Sequence, residues 1–202
     1  MYKISERKDN KWHDILKNEL PKNDDSIRTI FQCPYNELEG DFLCFEDVYG
    51  ELSRIIPKDK VILDLGCYVG LQGFFFKEHK GYIGIDMTPD KDNGDIYMPR
   101  AITVPNSTFI VSKIEDYLDN LNQAELLWHQ NNCFAIMSYV PNQNGIWDRV
   151  KATFPNVAGF YPDDYNLLRL DGKTYDFDVY NREYMDNLYN SLKEKDVEYG
   201  ER

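Results

Sequence analysis

The stretch Val61-Ile62-Leu63-Asp64-Leu65-Gly66-Cys67-Tyr68-Val69-Gly70, followed by Tyr82-Ile83-Gly84-Ile85-Asp86, predicts a strand, a tight glycine turn, a helix and a second strand ending in an acid. The apolar and β-branched residues up to Leu65 suit a strand buried in a parallel sheet. Gly66 permits a turn without a Cβ clash, and Gly70 lets a ligand or a helix come close to the backbone. Asp86 falls about twenty residues beyond the first glycine, where a carboxylate can accept from both hydroxyls of a ribose. Together these residues point to a pocket for an adenosine-bearing ligand.

Two cofactor classes use such a pocket. A nicotinamide dinucleotide wants glycine-x-glycine-x-x-glycine around its pyrophosphate, whereas Tyr68 holds the middle position here and the glycines fall at 66, 70 and 73. Asp64-Leu65-Gly66-Cys67-x-x-Gly70 resembles instead the first motif of the class I S-adenosylmethionine-dependent methyltransferases, and the resemblance spans roughly Val61 to Pro141. It implies a Rossmann-like methyltransferase fold: α/β, with a mostly parallel twisted sheet and helices on both faces. It also implies S-adenosylmethionine as cofactor. The glycine turn, Gly66, Cys67, Tyr68 and Gly70, would surround the methionine part, with Asp64 orienting the turn and that end of the ligand. Asp86 would contact the ribose and Met87 the adenine, with Ile114 as an apolar face and Lys113 or Ser112 as a polar edge. Glu115 and Asp116 read more simply as the start of a helix, where the dipole favours negative charge.

By the same resemblance, the loop Ser138-Tyr139-Val140-Pro141-Asn142 faces the methyl acceptor, which makes Tyr139 and Ser138 the candidate catalytic residues. Nucleobase amino methyltransferases carry two prolines and an aromatic at this point, and this chain has one proline, so base methylation is disfavoured. Methyl transfer from a sulfonium draws most of its acceleration from alignment and the exclusion of water; a hydroxyl or ammonium acceptor also needs a group to take its proton. His13, His79 and His129 have no sequence context that marks them for this, and read as surface residues. Tyr161-Pro162-Asp163-Asp164-Tyr165 reads as a loop, or less simply as a wall over the ligand mouth.

The chain has 202 residues, enough for one well-packed core, and a formal net charge of -12. That charge disfavours tracking of a nucleic-acid backbone, which needs clustered Lys and Arg. Neither a signal peptide nor a membrane span is legible, so a soluble, cytoplasmic protein without a membrane partner is expected. Cys33, Cys44, Cys67 and Cys133 lack paired spacing, which suggests neither zinc nor a redox dithiol, and no metal site is expected. The acceptor is expected to be a small molecule or a protein side chain.

Residues 1–56 read as an N-terminal helical and acidic-aromatic cap, with a helix at Trp12 to Leu20 and another at Val48 to Ile56. Residues 57–202 read as the Rossmann-like S-adenosylmethionine-binding domain. Within it the patterns predict a helix at Leu71 to Glu78 with its positive dipole end near the ligand. Further strands are expected at 109–111, 133–137 and 157–161, helices at 114–121, 146–154 and 182–195, and a hairpin turning at Asp171-Gly172. Two other functions share these signals: a methyltransferase-like binding module without catalysis, and a nicotinamide-dependent oxidoreductase.

Overall fold

The structure is a computed structural model that describes residues 45–67, 70–87, 106–138, 140–161, 165–178 and 181–200. Its strands are β1 (Val61–Leu65), β2 (Gly81–Asp86), β3 (Ser107–Val111), β4 (Cys133–Ser138), β5 (Val157–Tyr161), β6 (Tyr165–Leu170) and β7 (Lys173–Asp176). The α-helices are α1 (Phe45–Ile55), α2 (Ile114–Asn120), α3 (Gln123–Asn132), α4 (Ile146–Thr153) and α5 (Arg182–Gly200), and a 3-10 helix spans Leu71–Phe76. Most of the expected N-terminal cap, with its helix at Trp12 to Leu20, lies outside the described residues.

All seven strands form one sheet in the order β3-β2-β1-β4-β5-β6-β7. The pairings β3 to β2, β2 to β1, β1 to β4 and β4 to β5 are parallel. The pairings β5 to β6 and β6 to β7 are antiparallel. This corrects the expectation of a Rossmann-like methyltransferase fold. The class is α/β, but the sheet is mixed, and its order is not that of the doubly wound sheet, in which each further strand returns by a helical crossover. The reason is chain length. β5 ends at Tyr161 and β6 begins at Tyr165, while a parallel return needs a dozen or more residues, so β6 can only fold back beside β5. The next connection is the two-residue turn Asp171-Gly172, with φ of 46° and 79°, the left-handed pair that joins antiparallel strands tightly.

Alternation along the strands divides the core in two. Ile62, Tyr82, Phe134, Ile136, Ala158 and Phe160 face α1, the 3-10 helix and α5. Val61, Leu63, Leu65, Ile85, Ala135, Met137 and Val157 face α2 and α4. In α1 the stripe Val48, Tyr49, Leu52, Ile55 follows helical spacing and is buried throughout, which lays the helix on the first face. The segment expected as a helix at Leu71 to Glu78 is instead the 3-10 helix, six residues long. Gly73 in its middle costs an α-helix about 1 kcal/mol, and tight turns run on from Gly70 through Gly73. This short 3-10 helix does not supply the α-helix dipole expected near the ligand. Two of its aromatics pack inward: Phe75 stacks on Tyr49 of α1 at 6.2 Å, and Phe76 on Tyr82 of β2 at 6.3 Å.

α3 was not foreseen, although its signal is present in the sequence. Asn122 accepts from the backbone N–H groups of Ala124 and Glu125 while Glu125 accepts from the Asn122 N–H, a reciprocal cap readable as Asn-x-x-Glu. α4 is closed from the opposite direction: the Arg169 guanidinium on β6 donates to the carbonyls of Lys151 and Phe154, tying the antiparallel strand to the end of the helix.

Candidate functional site

The parallel pairings bring the ends of β1, β2, β3 and β4 to one edge. β1 aligns Leu65 with Ile85, β2 aligns Asp86 with Val111, and β1 to β4 aligns Asp64 with Ile136. Because the chain moves from β1 outward to β2 and β3 and then returns to β4 on the other side of β1, the edge holds a topological switch point, where open α/β sheets form ligand crevices.

The turn after β1 is fastened there by its backbone. The Gly66 and Cys67 N–H groups both donate to the Ile85 carbonyl, at 2.8 and 3.0 Å, and Gly70 N–H donates to the Cys67 carbonyl at 2.8 Å. Gly66 has φ of 86° and Gly70 of 72°, left-handed values that a side chain makes costly. Sequence reading assigned the space at Gly70 to a ligand or a helix. In the structure a ring of the protein takes it: a Cβ built on Gly70 would meet Phe109 Cε1 at 2.3 Å, and one on Gly66 would meet Val140 Cγ2 at 2.3 Å. The glycines thus let the ends of β3 and β4 close onto the turn. Tyr68 lies outside the described residues.

Asp64 is fully buried beneath this turn. Its Oδ2 accepts from the Tyr82 hydroxyl at 2.6 Å, and its Oδ1 has no hydrogen-bond partner among the described residues. Burial pushes its carboxyl group up to about 7, with Tyr82 and Gln72 pulling down and the charge of Asp86 adding to the rise. The Gln72 amide also donates to the Cys67 carbonyl at 2.8 Å, joining the 3-10 helix to the turn. Cys67 is buried, and its thiol is pushed far upward by burial and by the two aspartates, so it is no nucleophile.

Asp86 is half-buried at the end of β2, and its carbonyl accepts from the Ser112 N–H at 2.9 Å, so the loop after β3 is fixed to the same point. Met87 is 53% exposed and Val111, beside Asp86 in register, is 50% exposed. Ile114 is buried, with Cδ1 4.0 Å from the Cβ position of Gly66, while Lys113 is exposed and Ser112 bonds the Lys113 carbonyl. Ser138 is buried at the end of β4, and its Oγ has no partner among the described residues. By strand alternation it shares a sheet face with Asp64. Tyr139 lies outside the described residues, as do the loop from Thr88 and the middle of the Tyr161 to Tyr165 cluster.

The structure therefore gathers Asp64, Gly66, Cys67, Gly70, Asp86 and Ile114 around one turn, and adds Tyr82, Gln72, Phe109, Val111 and Val140, which the sequence did not single out. Their roles depend on register between strands, which leaves no local sequence signal. His79 and His129 are buried rather than on the surface, a correction to their reading, and both lie away from this edge. Among the described residues no group of three or more His, Cys, Asp or Glu could hold a metal ion, and no helix is long and apolar enough to cross a membrane. No protein-family model matches the chain, and no curated protein matches it.

The residues fit a nucleoside ligand bearing a cationic tail. An acid stands at the strand end with exposed apolar side chains beside it, and deeper in, a buried carboxyl oxygen and a buried hydroxyl have no hydrogen-bond partner among the described residues.

Proposed function

We propose that the carboxyl edge of the sheet binds S-adenosylmethionine and that the protein transfers its methyl group to a small molecule or a protein side chain. The observation that carries this reading is the fastening of the Gly66-Cys67 turn to the Ile85 carbonyl, one residue before Asp86. It sets the bend directly against Asp86, the acid that this reading gives to the ribose. In this reading Asp86 accepts from the ribose hydroxyls, Met87 and Val111 offer apolar contact to the base, and Asp64 with the turn receives the amino-acid tail. The bound cofactor supplies a methyl group on sulfur that is already activated for displacement. The protein's part is to align the acceptor from Ser138 at the end of β4 and from Tyr139, the next residue in sequence, and to exclude water through the packed contact of Val140 on Gly66.

Calorimetry with S-adenosylmethionine, S-adenosylhomocysteine and NAD tests the reading. Binding of the first two and not the third is expected, and Asp86→Ala weakens it on the order of ten- to a hundredfold through loss of charge-assisted hydrogen bonds. Binding of NAD alone overturns the assignment in favour of an oxidoreductase, and an unchanged affinity in Asp86→Ala removes that residue from the site. A labelled methyl donor incubated with cell extract then separates an enzyme from a binding module: the module binds and labels nothing.

A further inference from the structure

Asp64 and Tyr82 are brought together by register. β1 and β2 pair Ile62 with Tyr82 and Asp64 with Gly84, so the carboxyl group stands opposite a residue with no side chain. Strand side chains lean along the strand, and the Tyr82 phenol, two residues earlier on the same face, reaches Asp64 Oδ2 at 2.6 Å. Gly84 has no room for a side chain of its own: a Cβ there would meet Cys67 Sγ at 2.7 Å and the Phe109 ring at 2.8 Å. Phe76 stacks on the Tyr82 ring at 6.3 Å and Phe109 lies 5.8 Å away, so the phenol is held in place by its neighbours. One carboxyl oxygen is thereby pinned, and the other is left without a partner among the described residues.

The titratable and charged groups facing the carboxyl are Tyr82 and Asp86 from β2 and Cys67 from the turn, with Tyr49 of α1 acting on Tyr82 and the polar Gln72 amide on the 3-10 helix. None of these is a cation. A carboxylate removed from water with no counter-charge among the described residues is costly; here the Tyr82 hydroxyl holds Oδ2, the Gln72 amide adds its pull, and Oδ1 stays buried without a partner among those residues.

We propose that Asp64 and Tyr82 form a proton-linked pair in which Tyr82 is a positioning residue: it fixes the carboxyl through Oδ2, and a ligand ammonium arriving at Oδ1 displaces the carboxyl proton to solvent. This deepens the proposed function and rests on it for the ligand's location. The O–H bond of the acid breaks, its electron pair stays on oxygen, the proton passes to buffer, and a carboxylate and ammonium pair remains; nothing is oxidised or reduced. Affinity for a ligand with an ammonium group is then pH-dependent, while affinity for one that has only the nucleoside is not.

The test uses S-adenosylhomocysteine, which carries an ammonium, and adenosine, which does not, titrated into the full chain by calorimetry from pH 5.5 to 8.5 in buffers of different ionisation heat. For S-adenosylhomocysteine, affinity falls about tenfold per pH unit on the acid side of the carboxyl's titration and levels above it, with proton release approaching one per ligand in the acid range. Adenosine shows neither effect. Asp64→Asn abolishes the dependence, and Tyr82→Phe keeps binding but moves the break to higher pH, because the hydrogen bond favouring the carboxylate is gone. Flat S-adenosylhomocysteine binding in the wild type, or an unmoved break in Tyr82→Phe, overturns the pair. If neither nucleoside binds at any pH, the nucleoside reading itself has failed. Carboxyl NMR of the unliganded protein then judges the pair separately: titration of Asp64 in the ordinary carboxylate range, or the same midpoint in Tyr82→Phe, overturns it.

Discussion

The two ends of the parallel strands are built differently. At the amino ends several polar groups are closed, although His79 Nδ1 is buried without a partner among the described residues: Tyr117 bonds His129 Nε2 at 2.7 Å, His129 Nδ1 bonds the Glu125 carbonyl at 2.7 Å, and Lys60 donates to the Asn131 carbonyl at 3.0 Å. Since a carbonyl only accepts, Nδ1 carries a hydrogen, and Nε2 is left to pair with the Tyr117 hydroxyl. At the carboxyl ends, Asp64 Oδ1 and Ser138 Oγ are buried without partners among the described residues, and the backbone passes through two left-handed glycines. A buried polar atom left unpaired costs about 1–3 kcal/mol, so the carboxyl edge holds free energy that stability alone does not require. Proteins store such costs where ligands bind.

pH gives the largest contrast between the two ends. Asp64 is held above its ordinary value of 3.8, at about 7, so the folded state keeps a proton that the unfolded state has released. Stability therefore falls as pH rises from about 4 to about 7, by up to about 4 kcal/mol, and stays low above that. His79, at the amino end, donates from Nε2 to the Ile56 carbonyl at 3.2 Å and is depressed from 6.5 to about 4 by burial, with Lys58 adding to the drop. Its contribution is present above 6.5 and is lost as pH falls toward 4. Urea unfolding across this range should show Asp64→Asn without the loss toward neutral pH and His79→Gln without the loss toward acid. An Asp64→Asn protein with the wild-type pH slope would refute the first half.

Next in size is the turn. Gly66→Ala places a Cβ against Val140 at a left-handed φ and should cost about 3 kcal/mol, combining backbone strain with overpacking. Gly172→Ala has φ of 79° but nothing within 4 Å, so strain alone applies, at about 1 kcal/mol. Equal losses in denaturant unfolding would mean that the closure of β4 on the turn contributes nothing.

At the amino end, Tyr117→Phe strands the His129 Nε2 atom and should cost about 1–2 kcal/mol while leaving nucleoside affinity unchanged. A change in that affinity would break the division between the two ends. Smallest is Ser138→Ala, which removes a buried hydroxyl that bonds nothing described and should leave stability within about 1 kcal/mol of wild type or slightly above it. A large loss there would show that the hydroxyl is paired in solution, contrary to the idea that it waits for a ligand.

Much of this was legible locally. The run Val61 to Leu65 gave a buried strand, Asp171-Gly172 gave the hairpin turn, and the stripe in α1 gave a buried helix face, because each depends on neighbours in sequence. The cap of α3 is equally local, in Asn122 and Glu125. The antiparallel return of β6 beside β5 lies outside the sequence expectation, even though the short span from Tyr161 to Tyr165 excludes a crossover.

The amino-acid sequence by itself determined the elements and the glycine bend, since φ preferences, caps and apolar periodicity act over a few residues. Only the tertiary structure decided that β1 lies between β2 and β4, that Tyr82 reaches Asp64, and that Phe109 and Val140 close on Gly70 and Gly66. Those contacts depend on which strands pair and in what register, and in parallel strands the partners come from segments far apart in the chain.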